Sequence, residues 1–141
     1  MMPTCSCGRF PALRAEIPRR VLVIDDEPLV RWSLTTGLQL AGFDAIAVSD
    51  ASEALAAARR LPPDAVLLDV SLWKTDPRHL LEEIRELSPQ CQFLILAVDG
   101  QAVTLPPWDD VGVIRKPFDL DAVVQRVAAA VRCPHRAKIA M

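Results

Sequence analysis

Apolar residues along the middle of the chain follow two alternating rhythms. Short runs of strand length at residues 21–24, 45–48, 65–68, 93–98 and 112–114 are separated by longer stretches where apolar residues return every three or four positions. The longer rhythm is helical. Val30, Leu34, Leu38 and Ala41 form one stripe, with Pro28 suited to a first turn and Gly42 to a C-cap. Asp50 and Glu53 have capping-box spacing ahead of Leu55 and Ala58, and Pro62 and Pro63 stop that helix. Leu80, Leu81, Ile84 and Leu87 make a third stripe that ends before Pro89. Leu120, Val123, Val124, Val127 and Val131 make the last, capped by Asp119.

Strand and helix therefore alternate, and several of the strands are apolar on both faces. Such a pattern predicts an α/β fold with a parallel sheet covered by helices on both sides. One helix is missing from the rhythm: between Gly100 and Gly112 the stretch "QAVTLPPWDDV" carries Pro106 and Pro107, which prevent a regular helix through its middle. Residues 1–19 mix Pro, Gly, Cys, Arg and Ser without either period and read as a flexible extension. The folded region is expected over residues 20–132, with residues 133–141 as a C-terminal tail.

With 141 residues, 51% of them hydrophobic and 24% charged, the chain has the size of one compact domain with short tails, and a second folded output domain does not fit. The formal charge of −2 gives no basic field, which argues against direct nucleic-acid binding and against an anionic membrane surface. No apolar run is long enough to cross a bilayer, and no secretory leader is evident, so the expectation is a cytoplasmic protein. Cys5, Cys7, Cys91 and Cys133 do not have the spacing of a secreted disulfide framework and read as free thiols. A zinc site joining Cys5 and Cys7 to Cys133 and His135 lacks the usual two-residue gap in its first pair.

Charge concentrates where strands end. The stretch "VLVIDDEP" closes the first strand with Asp25 and Asp26, "AVLLDV" closes the third with Asp69, and "GVIRKPF" closes the fifth with Lys116. In an open parallel sheet, ligands bind outside the carboxyl ends of the strands. If those strands are neighbours, three carboxylates and one ammonium share a pocket, and crowded carboxylates need a compensating positive charge. A single acidic residue at a strand end is usually only a solvated loop residue; two such strands with a lysine at a third favour a functional cluster.

The constellation "VLVIDDEP", "VLLDVSL" and "IRKPFDLD", in this order and at these intervals, resembles the receiver domain of bacterial two-component response regulators, the CheY-like superfamily, across residues 20–132. The resemblance implies a flavodoxin-like, doubly wound five-stranded parallel sheet in the order 2-1-3-4-5. It implies phosphorylation of Asp69 by a sensor histidine kinase or phosphotransfer protein, and a Mg²⁺ cofactor. Asp26 and Asp69 would ligate the metal directly, Asp25 partly through water, and the backbone carbonyl of Ser71 would complete the protein's share. Lys116 would hold a phosphoryl oxygen as a compact point charge. The chemistry is coherent: a carboxylate can attack phosphorus once the negative charge around it is neutralised, and Mg²⁺ takes a few hard oxygen ligands and keeps its waters.

This chain departs from the family on its reporting side. Ala97 stands where receivers usually carry Thr or Ser, and Val113 stands where Tyr or Phe is common. The fourth helix, between the fourth and fifth strands, is shortened or lost. Alanine has no hydroxyl to bind a phosphoryl group. The loop after Asp69, "WKTDPRHLL", lacks the common glycines, and Asp99 falls near the path of a hydrolytic water. Trp73, Trp108 and Trp32 are either cover for apolar surface or anchors for a partner.

Two functions follow. The first is a stand-alone, atypical receiver that is phosphorylated on Asp69 and signals by binding an unknown downstream protein. The second is a pseudo-receiver working without phosphorylation as an interaction module or homodimer. Neither is an enzyme. A metal-dependent phosphatase on this sheet would need an acid two residues after the nucleophile, where Ser71 stands.

Overall fold

The computed structural model describes residues 18–69, 77–98, 111–116 and 118–132. Within them the chain runs β1 (Arg20–Ile24), α1 (Pro28–Leu40), β2 (Asp44–Val48), α2 (Ala51–Arg60), β3 (Ala65–Asp69), α3 (Arg78–Leu87), β4 (Gln92–Val98), β5 (Val111–Lys116) and α4 (Leu120–Arg132). The five strands form one sheet in the order β2-β1-β3-β4-β5, with every neighbouring pair parallel. This is the flavodoxin-like topology that the family resemblance implies. The segment 99–110, where the shortened or lost fourth helix is expected, lies outside the described residues, as do residues 1–17, 70–76, 117 and 133–141.

Pleating sends alternate strand residues to opposite faces, so the sheet feeds two cores. On one face Leu22, Ile24, Val66, Leu68, Phe93 and Ile95 pack against α2 and α3 through Ala54, Ala58, Leu81 and Ile84. On the other, Val21, Val23, Ala65, Leu67, Leu94 and Leu96 meet α1 and α4 through Leu34, Leu38, Val123 and Val127. Each fully buried Leu, Ile or Val contributes about 1.5–3 kcal/mol relative to exposure. β1 and β3 are buried on both faces because helices cover both.

The helix ends follow their local sequence. Asp50 caps α2 by accepting the Glu53 N–H at 2.8 Å, and the Glu53 carboxylate accepts the Ser49 N–H at 2.9 Å, a capping box displaced by one residue. After α1, Gly42 takes φ +99, a conformation that side chains with a Cβ rarely adopt. Ala41 differs from expectation. It lies past the last helical turn and is exposed, so the inward stripe of α1 stops at Leu38. Gly37 lets α4 approach closely, since a Cβ there would lie 3.0 Å from Leu120.

Candidate functional site

The site grows from strand register. β1 and β3 are hydrogen-bonded neighbours with Ile24 opposite Leu68, so the next residues, Asp25 and Asp69, emerge side by side at the carboxyl edge. Asp25 still belongs to the ladder, because its N–H donates to the Val48 carbonyl at 3.1 Å. It shares the pleat parity of Val21 and Val23, as Asp69 shares that of Ala65 and Leu67, so both carboxylates turn towards the α1 and α4 side. Both are buried, at 2% and 1% exposure.

Lys116 reaches this pair from a strand that is not adjacent. β4 lies between β3 and β5, and the lysine crosses its end to place Nζ 2.5 Å from Asp69 Oδ2. The Lys116 side chain is itself about three-quarters covered. Asp25 Oδ1 accepts the Glu27 N–H at 2.9 Å. Its other oxygen, Oδ2, is buried with no hydrogen-bond partner among the described residues. Burial pushes the Asp25 carboxyl up to about 6, and the neighbouring Asp69 carboxyl adds to the rise; the Glu27 N–H and the Lys116 charge oppose it. Two ionised carboxylates have no hydrogen to share, so this corner calls for a proton or a cation.

The other expected site residues fall in different places. Asp26 is exposed at the rim, one residue beyond the buried pair. Ser71 lies outside the described residues. Ala97 is fully buried and, with Val113, belongs to the opposite core on the α2 and α3 side. Trp32 is 65% exposed on α1 and covers little, while Trp73, Trp108 and Asp99 lie outside the described residues. The Arg31 side chain, which the strand-end pattern did not single out, donates from Nη1 to the Asp25 carbonyl at 2.8 Å. An apolar cleft lined by Ile46, Ala57, Leu61 and Pro63 opens beside the amino ends of β1 and β2, away from the acidic corner.

A divalent cation is the group this corner could take. Among the described residues no three His, Cys, Asp or Glu side chains converge as a ready cage. The donors that do meet, Asp25 Oδ2 and Asp69, are hard oxygens few in number, with Asp26 exposed one residue further on. That set fits Mg²⁺, which keeps much of its water and is held by one or two carboxylates, better than a metal needing a closed shell.

Residues 21–128 match the family model of the response regulator receiver domain. The chain belongs to this family. Among relatives of the receiver, it is 35% identical to the probable transcriptional regulatory protein TcrX of Mycobacterium tuberculosis, over 82% of this chain and 50% of that protein. It is 31% identical to the DNA-binding dual master transcriptional regulator RpaA of Synechocystis, over 80% of this chain and 49% of that one. The receiver chain thus spans about half the length of the curated relatives it matches. The crystal structure of a response regulator receiver protein from Sinorhizobium medicae superposes with a TM-score of 0.69 at 19% identity, covering 84% of this chain and 98% of that one, and shows the shared fold. NtrX from Brucella abortus, solved in complex with ADP, gives 0.65 at 26% identity over 87% of this receiver and 28% of that chain. Among the described residues, no helix is long and apolar enough to cross a membrane.

Proposed function

We propose that this receiver accepts a phosphoryl group on Asp69 in a two-component phosphorelay and passes the signal on by binding another protein. The observation that carries the reading is the buried Asp25–Asp69 pair, with Lys116 docked on one oxygen of Asp69 and one oxygen of Asp25 unpartnered among the described residues. An Asp69 carboxylate oxygen attacks the phosphorus of a phosphohistidine donor. The new O–P bond replaces the P–N bond, whose electrons stay on the imidazole and take up a proton. Lys116 meets the charge on the incoming phosphoryl oxygens, and burial keeps water from the acyl phosphate. Mg²⁺, when bound by Asp25, Asp26, Asp69 and the Ser71 carbonyl, would neutralise the negative charge that opposes attack.

On this reading residues 20–132 form the receiver unit, flanked by segments 1–19 and 133–141. The partners are a sensor histidine kinase or phosphotransfer protein upstream and a protein target downstream. The setting is cytoplasmic, and the domain is a phosphoacceptor rather than an enzyme.

A second reading has its own observation. Ala97 offers no hydroxyl, and Val113 is a small aliphatic group in the same core, so the parts through which receivers report phosphorylation are apolar here. The domain would then serve as a phosphorylation-independent interaction or dimerisation module. Titrating the protein with Mg²⁺ and then beryllofluoride, followed through its amide NMR signals, separates the two. The first reading expects saturable shifts at Asp25, Asp26 and Asp69; their absence leaves the second.

A further inference from the structure

Helix α1 starts poorly by its own local chemistry. Glu27 at the N-cap makes no side-chain capping bond, and the first turn contains no acidic residue. Arg31 is placed in that opening turn by its N–H, which donates to the Glu27 carbonyl at 3.0 Å. A cation there opposes the helix macrodipole. Helix stability does not account for a guanidinium at this end.

What the guanidinium does is reach back six residues and donate to the Asp25 carbonyl at 2.8 Å. Asp25 is thereby held at three points: its N–H by Val48, its carbonyl by Arg31, and Oδ1 by the Glu27 N–H. Among the described residues, Oδ2 is left without a partner. Asp26 sits between two residues whose backbones are both fixed, so its exit from the strand is fixed as well.

We infer that Arg31 is a positioning residue for the acidic corner, holding the Asp25 carbonyl so that the turn presents Asp25 and Asp26 to a divalent cation. The inference rests on the proposed Mg²⁺ reading. It differs from a charge effect in sign. Deleting a positive group next to carboxylates favours cation binding by Coulomb's law, whereas loosening the turn disfavours it.

The test is a Mg²⁺ titration of the full chain, read from the amide signals of Asp26 and Asp69, for wild type, Arg31→Met and Arg31→Lys. Thermal unfolding of each variant without metal runs alongside. Loss of a partner that orients metal ligands costs about 10-fold or more in affinity. Arg31→Met is expected to bind Mg²⁺ about 10-fold more weakly, with Arg31→Lys recovering part of the loss and the signals of Val23 and Leu34 unmoved. Unchanged or tighter binding by Arg31→Met overturns the inference and leaves the Mg²⁺ reading standing. A wild-type protein that shows no saturable response overturns both. If Arg31→Met does not fold, Arg31→Lys decides: affinity equal to wild type overturns the inference, and a weakened, folded variant supports it.

Discussion

The carboxyl edge of the sheet has two sides, built from the same strands with opposite chemistry. Towards α1 and α4 stand the nearly fully buried Asp25 and Asp69 and the partly covered Lys116, with one Asp25 oxygen that no other described residue satisfies. Towards α2 and α3 stand Ala97 and Val113, which continue the hydrophobic core up to the edge. One residue of pleat separates these environments. A phosphoryl acceptor needs the first side and a hydroxyl-driven relay needs the second, so the two can be kept or lost independently. On the proposed reading the first side carries the accepting chemistry, while Ala97 and Val113 fill the second with packing.

The charged side is where substitution should matter most. Lys116→Met leaves the buried Asp69 carboxylate without its cation, and breaking such a pair costs about 3–5 kcal/mol. Partial exposure of the lysine side chain puts the expected loss near the lower end, measured by urea unfolding at pH 8. A loss under 1 kcal/mol would remove the charge compensation that distinguishes the two sides.

Asp25 sets the pH dependence. Its folded-state pKa is raised from 3.8 to about 6, so between those values the folded protein holds a proton that the unfolded chain releases. The contribution of Asp25 to stability is therefore fully present below about pH 4 and is lost as pH rises through 6, by up to about 3 kcal/mol at 1.36 kcal/mol per unit. Asp25→Asn should flatten this slope, leaving the variant more stable than wild type at pH 8 and little changed at pH 4. Mg²⁺ should stabilise wild type at pH 8 more than the variant, with both comparisons read from unfolding midpoints.

The apolar side should respond less. Ala97→Thr adds a hydroxyl and a methyl to a fully buried position, and overpacking of this kind costs about 1–3 kcal/mol. If the relay is missing for want of that hydroxyl, beryllofluoride will move the amide signal of Val113 more in the variant than in wild type. Equal movement in both would place the relay elsewhere. Smallest of all, Trp32→Ala on the exposed face of α1 should change stability by about 0.5 kcal/mol or less, since surface side chains away from such features count little.

Much of this was legible in the order of residues. Strands as apolar as "VLVI" and "AVLLD" and helices with stripes such as Val123, Val127 and Val131 carry their burial in their period, and the alternation fixes a parallel sheet. The three strand ends were equally readable. Less visible was the division between Asp25 and Asp26, which look equivalent in sequence and differ completely in burial. The signal was available in pleat parity, because residue 25 continues the inward positions 21 and 23. Nor could periodicity show that Lys116 must cross β4 to reach Asp69, since strand order is a tertiary property. Arg31 was missed because its contact is with a backbone carbonyl, and every residue has one.

The claim on which the account depends is that Asp69 is a usable nucleophile in this charged corner. Incubating the protein with Mg²⁺ and acetyl phosphate and weighing it intact tests this most directly. The account predicts the mass gain of one phosphoryl group in wild type and none in Asp69→Asn. A wild-type chain that stays unmodified with both acetyl phosphate and a phosphorylated histidine donor, or a gain that persists in Asp69→Asn, would contradict it.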